Sequence, residues 1–540
     1  MNYEIKTPTI NYGKEDSIVD KILKIRGIEN KEEFLNPSSD NLHFPWELSN
    51  MRYTTSIIKK HIENKTNIGI MLDCDCDGVT SFAIMYKYLK RHGIISKIIY
   101  HQRSGGHGVI VEEVPKDLDL LIIVDSSTNS VKECEELSKN MEIVILDHHE
   151  SDIDNPYATI VNPQLNDYTN KFLSGAGVVF KTCVALDELF ETNYAWDYLD
   201  LCMVGLVGDM MNVTNLETRY LIQHGLYKIG NKDKRDFNLG LILKQLKKDF
   251  KPNATTIAFY LVPFINSVIR LNHIEKVIAM LVLEDEKAVK QLIKECIKLN
   301  DNRKEIQKNI VSEIKENIDL SHKIIIHILE SKDGSQTLNG LIANNIMNTY
   351  NKPTFILCYN NENGKYCGSV RNCTSVDIRQ ILNEKELAFA QGHEGSFGVE
   401  ISKENIPKIY ELFDKLIKDE DLISSTQVDL EVNQNEITWD ELKELEKLNF
   451  VCGQGFKEPQ FLIKAMFKSD SKIMKDIHVK LTCGEFECVK FNLEQDEVNK
   501  LVNGFCYDII GGLSINSWYN FKTKQTTKTK QIMISDIQIY

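Results

Sequence analysis

The sequence predicts an α/β protein in which helices cover a parallel β-sheet. Three short apolar runs occur early in the chain, at 68–72, 120–124 and 142–146. An aspartate follows each run, and helical patterns separate the runs. Because the strands alternate with helices, we expect them to lie parallel, with their carboxyl ends at one edge of the sheet.

Composition is that of an ordinary folded protein with several domains. The 540 residues include 64 Lys and Arg against 78 Asp and Glu, a net charge of −14, which argues against attraction of nucleic acid to the whole surface but allows a local basic groove. No apolar stretch is long enough to span a membrane, and the first residues lack a signal sequence, so a cytoplasmic location is expected. The 13 cysteines form no metal-binding pattern, and Cys74 and Cys76 are expected to face the core from an extended strand.

Changes of pattern along the chain predict five segments. The last of them alternates polar and apolar residues in several short runs, which is typical of a small β-barrel of the OB type. The predicted segments are an N-terminal helical segment at 1–60, the domain with the parallel sheet at 61–235, a helical connector at 236–320, a second α/β domain at 321–425 and the barrel-like domain at 426–540.

The aspartates that end the apolar runs, with two adjacent histidines, form a candidate metal site. A further apolar run at 203–208 also ends in an aspartate and predicts a fourth strand end. Carboxylates and imidazoles without thiolates suit Mn²⁺ or Mg²⁺, and two ions about 3.5–4 Å apart would activate water for hydrolysis of a phosphoester. The candidate ligands and neighbours are Asp73, Asp75, Asp77, Asp125, Asp147, His148, His149 and Asp209.

Each of these residues also has a simpler interpretation. An aspartate after a buried strand is often the N-cap of the next helix. The pattern Asp-x-Asp-x-Asp-Gly at 73–78 is also found in EF-hand loops, but the twelfth position lacks a glutamate and a buried strand precedes the pattern. The combination of all the motifs, in order, favours the metal site.

The motifs resemble those of the DHH phosphoesterase superfamily. The matching segments are DCDCDGVTS at 73–81, DSS at 125–127, LDHH at 146–149 and VGD at 207–209. The resemblance extends to the RecJ branch of single-strand-specific exonucleases, and the looser C-terminal half suggests a divergent member. The supporting segments are 24–37, 174–181, 262–271, the two DHHA1-like motifs 368–372 and 391–398, and the OB-like segments 445–461 and 515–525.

The resemblance implies two divalent metal ions, Mn²⁺ or Mg²⁺. Asp75 and Asp77 would bind different ions, with Asp125 between them. His148 and Asp209 would complete the site of Asp77.

The remaining residues of the cluster have supporting roles in the resemblance. Asp73 would support the site of Asp75. His149 would lie beside the scissile phosphate as a polarising or proton-handling group, and Asp147 would orient an imidazole. We therefore take His149, Asp125 and Asp147 as the candidate catalytic residues.

The resemblance also implies cleavage of single-stranded DNA from its 5′ end to mononucleotides, with a single-strand-binding protein or a helicase as candidate partners and no membrane. A lone arginine such as Arg270 is often only a surface residue, and Trp518 could equally belong to the core of the barrel. The candidate phosphate and DNA contacts are Arg103, Arg270, Ser369, Arg371, His393 and Trp518.

Two other functions compete with an exonuclease. A DHH phosphodiesterase of short oligonucleotides or cyclic dinucleotides would have the same cluster, but such proteins typically end before a barrel-like domain. A non-catalytic DHH scaffold in replication would have lost metal ligands, whereas every expected ligand is present here.

Overall fold

The computed structural model confirms the predicted α/β class. It describes residues 2–102, 108–151, 153–165, 167–248, 251–329, 338–361, 363–423, 425–520 and 524–540. The chain forms two compact units. The first comprises Met1–Asn266, Ile274–Ile293 and Thr426–Tyr540, and the second comprises Ser267–His273 and Lys294–Ser425. The predicted connector at 236–320 is thus divided between the units.

A five-stranded parallel sheet lies in the first unit. Its two central strands are buried at every residue, which explains their continuous apolar sequences. Leu72, Val124, Leu146 and Val161 pair with one another across the sheet, so the residues that follow them share one edge. In spatial order the strands are Lys97–Ile99, Ile68–Leu72, Leu120–Val124, Glu142–Leu146 and Thr159–Val161.

Outside this sheet, the first 293 residues are mostly helical. Cys76 opens the helix Cys76–Arg91, so the predicted extended conformation at this cysteine is wrong, although Cys74 and Cys76 are both buried. Two helices, Val262–Arg270 and Glu286–Glu316, begin in the first unit and end in the second. The other helices that begin before residue 293 are Ile18–Ile25, Lys31–Leu35, Met51–Asn64, Cys76–Arg91, Val131–Leu137, Gly175–Phe190, Leu199–Gly208, Leu216–Gly230, Phe237–Gln245, Ala254–Thr256 and Ile274–Val282.

The strand predicted at 203–208 is wrong. These residues form the end of the helix Leu199–Gly208, and Asp209 is its C-cap. This helix is buried almost throughout its length. Because a fully buried helix is apolar on all sides, its sequence shows no helical period and cannot be told from a buried strand.

The second unit contains a mixed five-stranded sheet. Buried apolar side chains cover both of its faces. In spatial order its strands are Ala388–His393, Ser396–Ile401, Lys365–Arg371, Thr354–Asn360 and Ile325–Leu329. Its helices are Asn339–Tyr350, Ile378–Glu384 and Ile406–Leu416.

The C-terminal residues form a seven-stranded mixed sheet in the first unit. A long hairpin of two 15-residue strands lies at its centre. In spatial order the strands are Leu430–Glu431, Phe461–Phe467, Cys506–Asn520, Gln525–Ile539, Phe486–Lys490, His478–Cys483 and Asp470–Met474. The accompanying helices are Trp439–Asn449 and Gln495–Asn503.

The N-terminal segment is bound to the C-terminal segment through a separate two-stranded sheet. Its strand Tyr3–Ile5 pairs in parallel with Thr426–Val428. The buried carboxylate of Asp429 accepts hydrogen bonds from Lys6 Nζ at 2.7 Å and from Arg26 Nη2 at 2.8 Å. Removal of one partner from a buried charge pair destabilises a fold strongly. The N-terminal and C-terminal segments of the chain therefore depend on each other.

A buried arginine connects the same regions. Arg219 is 1% exposed and donates a hydrogen bond from Nη1 to the carbonyl of Val451 at 3.0 Å. Its guanidinium stacks 3.7 Å from the ring of Phe34.

Among the described residues no helix is long and apolar enough to cross a membrane.

Candidate metal centre

The first motif places three carboxylates around the start of one helix. Asp73 follows the strand Ile68–Leu72 and is 5% exposed. Asp75 is the N-cap of the next helix, and its Oδ1 accepts a hydrogen bond from the amide of Gly78 at 3.0 Å. The simple capping interpretation therefore holds for Asp75, without excluding a second role for its other oxygen.

Asp77 lies in the first turn of that helix and is 1% exposed. Its carboxylate accepts hydrogen bonds from Ser174 Oγ at 2.8 Å and from the amides of Gly175 at 2.6 Å and Ala176 at 3.1 Å. These donors belong to the start of another helix, whose positive end favours a carboxylate. Ser174 was not predicted as a site residue, although it opens the SGAGVVFK segment.

Asp125 is held in a strained backbone conformation. Its φ of 64° is in the left-handed region, as is the φ of 79° at Ser127. Gly175 lies so close to Asp125 that a Cβ on residue 175 would come within 2.4 Å of Asp125 Oδ1. Non-glycine residues persist in such conformations only where their surroundings fix them, and functional sites are enriched in them.

His148 completes the buried part of the cluster. Its Nε2 lies 3.2 Å from Asp125 Oδ1, 3.4 Å from Asp209 Oδ2 and 3.9 Å from Asp77 Oδ2. Neither His148 Nε2 nor Asp125 Oδ1 makes a hydrogen bond within the described part of the chain, although both atoms are buried. Buried polar atoms without partners are costly, and a cation among them would satisfy both.

The acidic groups lie so close together that their protonation changes. Burial, with the negative charges of Asp77 and Asp75, raises the pKa of Asp125 well above its ordinary value. Burial and the same two neighbours raise the pKa of Asp209 to about 8. Carboxylates that repel one another in this way are stabilised by a bound cation.

Asp147 has a different environment from the other carboxylates. It accepts hydrogen bonds from Thr128 Oγ1 at 2.7 Å and from Thr128 N at 3.0 Å, and from His149 Nδ1 at 2.8 Å. Burial alone would raise the pKa of Asp147, but the hydrogen bonds from His149 and Thr128 hold it below its ordinary value. In return, Asp147 raises the pKa of His149 to about 9.

Asp147 therefore holds the ring of His149, and it also holds the backbone of His148, whose amide donates to Asp147 Oδ1 at 2.7 Å. The side chain of His149 is 57% exposed, and its ring centroid lies 4.4 Å from that of His148. Thr128 was missed by the sequence interpretation, as was Asn162, which follows the strand Thr159–Val161 and donates from Nδ2 to the carbonyl of His149 at 2.9 Å. Their positions just after strand ends were the available signal.

Ligand atoms meet in three groups within the cluster, and each group has its atoms within 4.8 Å of one another. Asp125 and His148 each belong to two groups. Oxygen and imidazole donors in this arrangement can bind a divalent cation such as Mn²⁺ or Mg²⁺. The groups are Asp73, Asp75 and Asp125; Asp77, His148 and Asp209; and Asp125, His148 and His149.

Comparison with known families identifies three domains in the chain. Residues 67–206 match the N-terminal domain of the DHH family, residues 321–419 the DHHA1 domain and residues 428–529 the RecJ OB domain. This chain is a homologue of RecJ. The resemblance inferred from the sequence motifs is thereby confirmed.

Individual relatives cover most of the chain. YorK, an SPbeta prophage-derived protein of Bacillus subtilis whose name proposes a single-strand DNA-specific exonuclease, is 28% identical over 93% of this chain and 94% of its own length. The single-stranded-DNA-specific exonuclease RecJ of the same organism is 27% identical over 100% of this chain and 72% of its own. The structure of RecJ with Mn²⁺ from Thermus thermophilus has the same fold, with a TM-score of 0.80 and 22% identity over 96% of this chain and 76% of that one.

The DHHA1 domain brings three of the predicted phosphate contacts together. Arg371 and His393 pair with the same residue, Ser396, from its two sides. Arg371 and His393 therefore lie on the two strands that flank the strand of Ser396. Ser369 lies two residues before Arg371 and shares its face of the sheet. The guanidinium of Arg371 lies against the start of the helix Asn339–Tyr350, since a Cβ on Gly340 would come within 2.4 Å of Nη2.

The other predicted DNA contacts have separate positions. Arg270 is the last residue of the helix Val262–Arg270, and Arg103 lies outside the described residues. Trp518 lies on the long hairpin of the OB domain and is 59% exposed. The interpretation of Trp518 as a core residue is therefore wrong, and its exposed side chain agrees with a role in binding.

Proposed function

We propose that this chain is a metal-dependent exonuclease that hydrolyses single-stranded DNA from the 5′ end and releases 5′-mononucleotides in the cytoplasm. The observation that carries the proposal is the approach of His148 Nε2 to Asp125 Oδ1 at 3.2 Å, with both atoms buried and unsatisfied among the described residues. Two ligands of one metal ion are expected to lie this close together and to lack hydrogen-bond partners of their own. The names of the relatives supply the substrate, single-stranded DNA.

In the proposal the cluster holds two divalent cations, because Asp125 and His148 each belong to two of the candidate ligand groups. In the proposal Asp73, Asp75 and Asp125 hold one ion, and Asp77, His148 and Asp209 hold the other, with Asp125 between them. Two ions bound in this way supply a water of lowered pKa and stabilise the charge on the leaving oxygen.

His149 would handle protons beside the scissile phosphate. Its pKa of about 9 keeps the imidazole protonated near neutral pH, so that it can donate a hydrogen bond to a phosphate oxygen. Asp147 holds the ring through Nδ1, which leaves Nε2 for the substrate. Asp147 is thus a positioning residue in this proposal.

The DHHA1 residues are proposed to recognise the 5′ end. A terminal phosphate carries two negative charges, and a guanidinium binds it through two parallel hydrogen bonds. Arg371 and Ser369 supply such donors, and Arg270, Arg103 and His393 are additional candidates. Exposed Trp518 would stack on a base farther along the strand.

A product analysis tests the proposal against its alternatives. The full chain is incubated with single-stranded DNA, duplex DNA and RNA labelled at either end, in Mn²⁺, Mg²⁺ or EDTA. We expect a 5′ label to appear at once in mononucleotides and a 3′ label to remain on a shortening strand, only on single-stranded DNA and only with metal. Short oligonucleotides and cyclic dinucleotides are tested in parallel, and cleavage restricted to them would indicate the small-substrate phosphodiesterase. Binding without hydrolysis would indicate the scaffold, which single-strand-binding protein or a helicase would then recruit.

A further inference from the structure

A cavity of about 660 Å³ lies within the first unit, directly beside Asp209. The residues on either side of that aspartate, among them Gly208 and Met210, line one wall. A helical turn at 255–262 and the segment 452–460 of the OB domain form others. This volume is in the range of ligand-binding pockets.

Two large apolar side chains of this cavity are unusually exposed. Met210 is 65% exposed and Phe259 is 71% exposed, and both line the cavity. Met210 also has a φ of 55°, in the left-handed region that methionine rarely adopts. This conformation ends the helix Leu199–Gly208, because the amide of Met211 donates to the carbonyl of Leu206 at 3.0 Å, and it places Met210 at the wall of the cavity.

Phe259 is displayed by an irregular helical turn. Residues Ile257–Leu261 form a π-helix, a rare element that is frequent at functional sites. The neighbouring Tyr260 is also exposed, but Lys248 Nζ lies 3.5 Å from the centre of its ring, and Tyr260 does not line the cavity. Only one of these two adjacent aromatic rings therefore faces the cavity.

Asp209 connects the cavity with the metal cluster, because its chain neighbours Gly208 and Met210 line the cavity and its own Oδ2 lies 3.4 Å from His148 Nε2. Gly208 is closely packed, since a Cβ at residue 208 would lie 3.3 Å from Cys76 Sγ and 3.6 Å from Val262 Cγ2. The opposite wall is fixed to the same region, because the amide of Val213 donates to the carbonyl of Gln454 at 2.9 Å. A group bound in the cavity would therefore lie beside the chain segment that carries the candidate ligand Asp209.

We propose that this cavity binds a nucleobase of the strand next to the scissile phosphate. The inference rests on the proposed function and extends it to a subsite. A thioether and an aromatic ring contact any base through its faces, as an enzyme that moves along a strand of arbitrary sequence requires. Lys6 and Arg26 also line the cavity but are paired with Asp429, so Lys457 is the lining cation proposed to face an adjoining phosphate.

Removing single bases from the substrate tests the proposal. A series of 5′-phosphorylated DNA strands carries one abasic nucleotide at successive positions from the 5′ end. For the wild type we expect kcat/KM to fall at least about fivefold at one position, the lower end of what stacking on an aromatic ring contributes. Phe259→Ala should lose this position dependence and cleave intact strands as slowly as the wild type cleaves the sensitive abasic strand. Tyr260→Ala is the matched control and should behave as the wild type.

The outcomes separate this inference from the proposed function. If the wild type cleaves no polynucleotide, the proposed function fails and the inference with it. If it cleaves but shows no abasic penalty, or if the penalty persists in Phe259→Ala, only the inference is wrong. Sedimentation of the wild type and of Phe259→Ala tests whether a second copy of the chain occupies the cavity instead. If the wild type is an oligomer that Phe259→Ala dissociates, and the abasic penalty is unchanged, the cavity is an interface between copies. Because Phe259 is exposed, Phe259→Ala should unfold at the same temperature as the wild type, and Phe259→Leu should give an intermediate penalty.

Discussion

The metal cluster and the DHHA1 strands place candidate functional residues in opposite physical environments. In the cluster, Asp125 and His148 are buried and crowded, and burial raises the pKa of the carboxylate. In the DHHA1 domain, Arg371 is half-buried and His393 is exposed, and they lie in register on a regular sheet. Crowding makes the cluster's residues depend on one another and on a cation. Exposed residues instead contribute separately, by the smaller amounts of individual hydrogen bonds.

The largest effect is expected from Asp125→Ala, which removes a ligand shared by two groups. Nuclease activity should fall to the background level, as it should for the wild type in EDTA. The metal-free variant should be as stable as the wild type or more so, because a buried carboxylate repelled by Asp77 and Asp75 has been removed. Product analysis and urea unfolding with and without EDTA measure the two effects.

The matched control lies at the other end of the same strand. Asp119 precedes Leu120–Val124, whereas Asp125 follows it, and Asp119 accepts a surface hydrogen bond from the amide of Asn67. Asp119→Ala should retain activity. Saturating Mn²⁺, at about one hundred times its dissociation constant, should raise the free energy of unfolding of the wild type by about 2.7 kcal/mol, and that of Asp125→Ala by much less. Equal stabilisation of both proteins would contradict the shared-ligand assignment.

Asp147→Asn should have the next largest effect. Loss of the charge that holds His149 should lower kcat about 10- to 100-fold, the usual cost of changing a residue that orients a catalytic or ligating imidazole. The pKa of His149 in the metal-free protein, followed by NMR, should drop from about 9 towards about 6.5. A variant of full activity would show that the orientation of His149 is unimportant.

The same pair has a defined effect on stability. Because the folded pKa of His149 is raised, its contribution to stability is fully present below the unfolded pKa of about 6.5 and is lost as the pH rises through about 9. The difference in unfolding free energy between the wild type and Asp147→Asn in EDTA should therefore be larger near pH 6 than near pH 10. The reverse order would contradict the assigned charge of His149.

Arg371→Ala tests the second region, where a smaller effect is expected. The wild type should cleave 5′-phosphorylated strands faster than 5′-hydroxyl strands, and the variant should lose this preference, by about 1.5–3 kcal/mol or roughly 10- to 150-fold in kcat/KM. Stabilisation by Mn²⁺ should not change. Arg371→Lys keeps the charge without the two-pronged donor and should restore the preference only in part. A wild type indifferent to the 5′ phosphate, or one that degrades from the 3′ end, would make Arg371 merely structural.

Much of the fold could be predicted from the sequence because the parallel strands are short, buried and followed by polar residues. The aspartates at 73, 125 and 147 follow such strands, and register places them at one edge. Asp209 was found by its motif, although the element before it is a helix, since burial on all sides removes the periodicity that distinguishes the two. Thr128 and Asn162 lie after strand ends, which is a local signal, but their contacts with Asp147 and His149 join segments distant in the sequence and could not be read from it.

The C-terminal domain illustrates another limit of the sequence. Deleting 426–540 would have been the natural test of a separate binding domain. The structure shows that this deletion also removes the partner of the N-terminal strand and the buried Asp429 between Lys6 and Arg26. Loss of activity after the deletion would therefore report unfolding as well as lost binding, and a surface substitution is the better test.

Trp518→Ala is that substitution, and it should have the smallest effect of the series. A single exposed ring that stacks on a base contributes about 1 kcal/mol at the lower end of the known range, or roughly fivefold in KM. In the proposed function the hairpin binds the strand beyond the scissile bond, so KM should rise for long strands and stay unchanged for very short oligonucleotides, with kcat unaffected. Trp439→Ala, at another exposed tryptophan of the same domain, is the control and should change neither value. An equal effect of Trp518→Ala on long and short substrates would place this tryptophan in the same class as the metal cluster, where residues act on the reaction itself.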